Sequence, residues 1–320
     1  MFRRFILVCV VCLSVILASV SIAAAGTGDA TRNKHFVMGG SAIGLRGASK
    51  QDAETTFNVY LADLFTQMGS DVSLGIAMYP DSSTLMAAFD KGEIDGFFST
   101  PLDYLSHKDQ IGPYLAGIEY KHASLKQRFF VIARADDGVT QLKDLKNKRL
   151  TLSAYMDIEE LYLNTDLLKN KLPEIPAFFS ERKGAKSANI ALMDVFFNKS
   201  DVTVVRENEY NIAVELNPQL SKKLIVLSRS EPYLATVGVL SNKFAGEDFK
   251  RFVESFRKVI GTEKGKKLLD LVQVSGIAIV TADDVKNLRE LLMEYASLRR
   301  PAGVAKSITT EKVKTRRDAR

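Results

Sequence analysis

Short apolar runs alternate with amphipathic segments from His35 to Leu105, the pattern of strands that feed helices in a parallel sheet. Phe36-Val37-Met38-Gly39-Gly40 reads as a strand ending in a glycine turn. Phe57, Tyr60, Leu61, Leu64 and Phe65 then recur at helical spacing, which predicts a helix over 52–68. Residues 72–78 read as the next strand, and Asp81-Ser82-Ser83-Thr84 offers capping side chains for a helix over 84–91. A third strand covers 94–98, and Pro101 stands where the first turn of a following helix tolerates it.

Phe129-Phe130-Val131-Ile132-Ala133 is continuously apolar, the signature of a strand buried on both faces, and Asp136-Asp137-Gly138 after it suits a crossing between lobes. The strand–helix pattern then restarts. Strands are predicted over 148–153, 178–179, 202–205 and 224–227, interleaved with helices over 158–170, 187–197 and 207–216. A second buried strand over 235–240 carries the chain back, and helices over 247–260, 263–271 and 283–298 close the body. Two clusters joined by two crossing strands predict an α/β protein of two lobes, each a mostly parallel sheet flanked by helices. The first lobe is expected over 26–134 and 237–298, the second over 135–236.

The ends of the chain change the picture. Arg3 and Arg4 precede an apolar run from Phe5 to Ala25 that closes on Ala23-Ala24-Ala25-Gly26, the layout of a cleaved secretory signal. The run is also long enough to span a bilayer, so a retained membrane anchor is the alternative. Cys9 and Cys12 both lie inside it; a mature chain without them has no disulfide, thiol nucleophile or cysteine metal site. Only His35, His107 and His122 remain as histidines, so neither a zinc site nor a cofactor is expected. Removing the +2 of Arg3 and Arg4 and the +6 of residues 299–320 from the net charge of +6 leaves −2 for residues 26–298. That body lacks the basic footprint of a nucleic-acid binder. Residues 299–320 have no apolar periodicity and read as a disordered tail, with contact to anionic lipid as the functional alternative.

In open α/β sheets ligands sit beyond the carboxyl ends of strands, where helix N-termini present unpaired amides. Ser82, Ser83 and Thr84 follow one such end, Ser99 and Thr100 another, and Ser153 and Tyr155 open the second lobe. Together they offer an anion several hydrogen bonds; the plainer reading is that they cap helices. Arg206 and Glu207 follow a further strand end, the arginine suited to a carboxylate or phosphonate and the glutamate to an amine. Tyr79, Tyr155 and Tyr210 are candidates for the cleft wall.

Ala88-Phe89-Asp90-Lys91-Gly92-Glu93-Ile94-Asp95, followed by Thr100-Pro101-Leu102-Asp103-Tyr104, resembles the substrate-binding proteins of phosphonate, phosphite and phosphate ABC transporters. The resemblance continues through Leu142 to Arg149, through Ala191-Leu192 to Asp201, and through Leu227-Ser228-Arg229-Ser230-Glu231-Pro232. It implies a type II periplasmic binding protein with two hinge strands: a non-enzymatic monomer that captures a small anion for a membrane permease. It also points to Ser99, Thr100 and Tyr104, and places Lys186 and Ser187 where related proteins carry a histidine turn. Where those relatives have a Ser-Thr-Ser-Gly-like loop, this chain reads Ser153-Ala154-Tyr155-Met156-Asp157, and Asp157 would repel an anion in the cleft. Sensing through a membrane receptor and enzymatic use of the same fold are the alternatives; no His-centred triad, metal cluster or phosphate loop favours the latter.

Overall fold

The computed structural model describes residues 34–41, 50–67, 72–121, 123–153, 157–244, 246–271 and 274–299. The expected signal segment over 1–25, Tyr155, and the basic stretch from Arg300 onward lie outside them. In chain order the elements are β1 (Lys34–Ser41), α1 (Lys50–Gln67), β2 (Val72–Tyr79), α2 (Ser82–Asp90), β3 (Gly96–Ser99), α3 (Pro101–His107) and β4 (Ile111–Tyr120). The short β5 (Lys126–Gln127) leads to β6 (Phe129–Arg134), β7 (Arg149–Ser153), α4 (Asp157–Lys169), α5 (Ile175–Phe178), β8 (Glu181–Ala185), α6 (Ala188–Phe196) and β9 (Val202–Arg206). Then follow α7 (Glu207–Leu216), α8 (Gln219–Lys223), β10 (Leu224–Arg229), β11 (Tyr233–Leu234), β12 (Val237–Ser241), α9 (Gly246–Gly261), α10 (Glu263–Leu271), β13 (Val274–Val280) and α11 (Lys286–Leu298).

Two sheets organise these elements. The first has the order β13-β4-β12-β3-β1-β2, the second β10-β6-β9-β7-β8. Each contains a parallel trio, β2-β1-β3 in one and β8-β7-β9 in the other. The remaining pairings are antiparallel, so the sheets are mixed where mostly parallel ones were expected. In each trio all carboxyl ends lie along one edge, and there a ligand is offered helix N-termini.

Burial explains why the sheets form where they do. All six residues of β6 are buried, with Phe129, Val131 and Ala133 facing one apolar cluster and Phe130 and Ile132 another. Such a strand must have covered faces on both sides, and it lies between β10 and β9 inside the second sheet. It is therefore not the crossing that the sequence pattern suggested, and β12 likewise lies wholly within the first sheet. The crossings are β5 and β11, which pair antiparallel with Tyr233 opposite Gln127 and Leu234 opposite Lys126.

Three further differences have physical causes. The pattern missed β4, whose Gly112, Pro113 and Gly117 read as breakers, and β13. The strand expected at Phe178-Phe179 is at Glu181–Ala185 instead; β8 is an edge strand with little to bury, so it lacks an apolar run. The last helix, α11, was expected on the first lobe. Leu288 and Leu291 insert into the core of the second, with Tyr295 packed against it and Lys169 paired to Glu294 at 3.1 Å. Gly39 is a packing position inside β1, not a turn. A Cβ there would stand 2.4 Å from Leu85 Cδ1 and 2.5 Å from Ile94 Cδ1, so its absence lets α2 approach the sheet. No helix among the described residues is long and apolar enough to cross a membrane.

Candidate functional site

At the carboxyl edge of the first sheet, α2 and α3 begin side by side. Asp81 caps α2 by accepting from the Thr84 amide at 2.8 Å, and Thr100 caps α3 with Pro101 in its first turn. This brings three hydroxyls from two rim segments onto one carboxylate. Asp103 Oδ2 accepts from Ser82 Oγ at 2.6 Å, from Thr100 Oγ1 at 3.2 Å and from Ser99 Oγ. A hydroxyl has a single hydrogen to donate. With all three committed to Asp103, the hydroxyls offer lone pairs, while the first-turn amides of α2 and α3 that the caps do not take remain as donors at the same rim.

The opposing rim belongs to the second sheet. Asp157 opens α4 beyond Ser153, the half-buried last residue of β7. Asp157 is itself exposed, yet the surrounding protein removes enough of its water to push its carboxyl up, and the charges of Asp103 and Glu160 push the same way. The charge of Asp103, from the other lobe, thus bears on Asp157. Two residues on, Glu159 is fully buried and pairs with Arg206 at the end of β9, Oε1 to Nε at 3.0 Å. Burial raises the Glu159 carboxyl more than Arg206 lowers it, and Arg206 remains a cation because Glu159 and Glu209 outweigh its own desolvation. Arg206 stands opposite Phe129 in register, and the next residue donates its amide to Arg128 O at 2.9 Å, which places Arg206 beside the hinge ribbon.

Among the residues singled out from sequence, Ser82, Ser99 and Thr100 converge, and Arg206 stands at the opposing rim. Tyr79 ends β2 half-buried, its hydroxyl raised by burial and then by Glu93 and Glu54. Ser83 is exposed in the first turn of α2. Tyr104 is buried in the apolar core of the first lobe with Phe89, Phe97 and Leu115, so it supports the rim from beneath. Lys186 is exposed after the edge strand β8, and Ser187 caps α6 through the Ile190 amide at 3.3 Å. Glu207 donates its amide to Arg128 O at 2.9 Å and lines a cavity of about 460 Å³ beside β5. Tyr210 packs edge-on against Phe130, away from the rim.

Sequence reasoning missed Asp103, Asp157 as a partner of Asp103, and Glu159. All three are acids in the first turn of a helix, where a carboxylate ordinarily needs no explanation beyond the helix dipole. Among the described residues no group of three or more His, Asp or Glu is gathered as a metal ion would need.

Residues 47–285 match the family model described as "ABC transporter, phosphonate, periplasmic substrate-binding protein". No curated protein matches. Among solved structures, the chain is similar to a binding-protein component of an ABC phosphonate transporter from Pseudomonas aeruginosa, with 16% identity, 88% of this chain and 94% of that one covered, and a TM-score of 0.60. A Xanthomonas citri protein bound to ATP shares 15% identity at a TM-score of 0.62, with 83% and 98% covered. PhnD1 from Prochlorococcus marinus, in complex with methylphosphonate, shares 15% at 0.57, with 82% and 98% covered. At these identities the likeness is one of fold.

Proposed function

Because the chain belongs to the periplasmic phosphonate-binding family of ABC-transporter substrate-binding proteins, we propose that it captures a small solute between its two lobes, an oxyanion that also carries a protonated nitrogen. The observation that carries the choice of ligand is the acid pair across the cleft: Asp103 holding three hydroxyl hydrogens, with Asp157 within its field. A bare anion would meet two carboxylates there and be repelled, whereas an ammonium group would be accepted by both. Arg206 stands at the same opening to receive the oxyanion end.

The ribbon β5/β11 is the only strand pairing that lies outside both sheets among the described residues, which suits a hinge on which the lobes close. Capture for a membrane permease then needs no chemistry on the ligand. The −2 charge of residues 26–298 supports a partner that is not nucleic acid, and the segment from Arg3 to Gly26 supports export with cleavage. We read the working form as a monomer.

The test is a melting-temperature screen of the protein against phosphate, alkylphosphonates, aminoalkylphosphonates, sulfonates, carboxylates and simple amines. A true ligand at one hundred times its dissociation constant adds about 2.7 kcal/mol of stability. Aminoalkylphosphonates are expected to give the largest upward shift; a shift with amines alone would remove the oxyanion from the account.

A further inference from the structure

The pair Glu159–Arg206 joins a sealed carboxylate to a partly exposed guanidinium. The Glu159 side chain is 2% exposed and that of Arg206 29% exposed, so the carboxylate lies behind and the guanidinium in front. Arg206 closes β9 opposite Phe129, one residue from the hinge ribbon, and its backbone amide is held by Glu209 Oε2 at 3.2 Å. Only its Nε is spent on Glu159. Guanidinium is a planar fork of five donors with no acceptor, and the outward part of the fork is matched to a planar or tetrahedral oxyanion. Burying a carboxylate for stability alone gives little, since an apolar pair of the same volume does as well or better. The contrast is Arg134 with Asp201 and Arg149 at the opposite end of the same sheet. There the arginine is 9% and the aspartate 11% exposed, and both are saturated by backbone carbonyls and amides.

We propose that Arg206 is the oxyanion-binding residue of the second lobe, and that Glu159 is a positioning residue which aims the guanidinium into the cleft and competes with the ligand for its charge. The inference rests on the reading of the cleft given above. While Glu159 is ionised, a bound oxyanion shares one guanidinium with a buried carboxylate; once Glu159 is neutral, the whole charge serves the ligand. The groups facing this pair are Glu209 on α7 and Tyr120 on β4, with Asp157 and Glu160 beside Glu159 on α4. Burial holds the Glu159 carboxyl above its ordinary range, so the competition weakens as pH falls and strengthens as pH rises.

The experiment is calorimetric titration of methylphosphonate, of inorganic phosphate and of an aminoalkylphosphonate into wild type, Glu159→Gln, Arg206→Gln and Arg206→Lys between pH 5.5 and 8, with melting temperatures recorded alongside. Each variant is compared with wild type at the same pH, so that the ligand's own ionisation cancels. Glu159→Gln keeps an acceptor for Nε; it is expected to bind about tenfold tighter than wild type where Glu159 is ionised, with the advantage shrinking as pH falls. Arg206→Gln is expected to weaken binding at least about tenfold, and Arg206→Lys to weaken it too because the fork is lost. A purely structural pair would instead lower the melting temperature and leave the pH dependence of the ratio flat. Wild-type affinity in both Arg206 variants, or a Glu159→Gln affinity no better than wild type at every pH, overturns the proposal. Loss of aminoalkylphosphonate binding in Asp103→Asn together with unchanged binding of that ligand in Arg206→Gln ends this inference and leaves the cleft reading standing. If wild type binds neither these anions nor an aminoalkylphosphonate at any pH, both fall.

Discussion

The two lobes are built on one scaffold and finished with different chemistry. In the first, Asp95 precedes β3 and its Oδ2 accepts from the Val37 amide of β1 at 2.8 Å; in the second, Asp201 precedes β9 and accepts from the Arg149 amide of β7 at 2.7 Å. The turn before each aspartate passes through a left-handed residue, Gly92 at φ 71° and Asn198 at φ 60°. Each clamp ties the start of an outer strand of the trio, β3 or β9, to the central strand, β1 or β7, so both trios hold that pairing in register by the same device. At the carboxyl edges the likeness ends. The first lobe gathers hydroxyls around Asp103, and the second sets Arg206 in front of a buried carboxylate. A repeated framework thus leaves the rims free to differ: hydroxyls around Asp103 on the first, Asp157 beside the cation Arg206 on the second, a mixture that suits a ligand with two unlike ends.

The largest expected effect tests where the clamps diverge. The second lobe adds Arg134, 7% exposed, which donates to Asp137 at 2.6 Å, to Ser200 O at 2.9 Å and to Asp201 at 3.3 Å. Arg134→Ala leaves the Val195 and Ser200 carbonyls and the Asp137 carboxylate short of a donor, while Arg149 still holds Asp201, and is expected to cost about 3–5 kcal/mol in denaturant unfolding. Hydrogen bonding from Arg149 holds the Asp201 carboxyl far below the usual carboxylate range. Its contribution is therefore fully present above that range and is lost as pH falls through it and below. Asp201→Asn should flatten this part of the acid-unfolding profile; an unchanged profile would make the clamp electrostatically idle.

A middle-sized effect separates a glycine on the central strand of one trio from a glycine on the edge strand of the other. Gly39→Ala drives a methyl into Leu85 and Ile94 and is expected to cost about 1–3 kcal/mol. Gly184→Ala, on the edge strand β8 with nothing within 4 Å, should leave stability level or raise it by up to about 1 kcal/mol. Equal changes in unfolding midpoint would mean that α2 does not pack as closely as described.

The smallest effect lies in the second sheet alone. Thr151 and Thr203 are opposite each other on β7 and β9, fully buried, and their hydroxyls have no hydrogen-bond partner. Thr203→Val is expected to stabilise by about 1 kcal/mol, because it removes a desolvated hydroxyl and keeps the shape. A loss of similar size would show that the hydroxyl is satisfied by buried water.

Much of the scaffold is legible along the chain because burial writes itself into composition. Strands β6, β9 and β12 are predominantly apolar, and the helix α2 announces itself through Asp81 and Thr84. What carries little burial leaves little trace: β8 is Glu-Arg-Lys-Gly-Ala, and the two-residue strands of the hinge have no periodicity to read. At the site, Ser82, Ser99, Thr100 and Arg206 stand out as short hydroxyls and a cation after strand ends. Asp103 and Glu159 do not, since only the tertiary fold shows that one collects three hydroxyls and the other is sealed behind an arginine.

The most direct test of opposed rims is calorimetric titration of an aminoalkylphosphonate and of methylphosphonate into wild type and Asp103→Asn at neutral pH. The account predicts that wild type prefers the amine-bearing ligand by about tenfold or more, and that Asp103→Asn erases most of that preference. Equal affinity of wild type for the two ligands, or a preference that survives in Asp103→Asn, would contradict it.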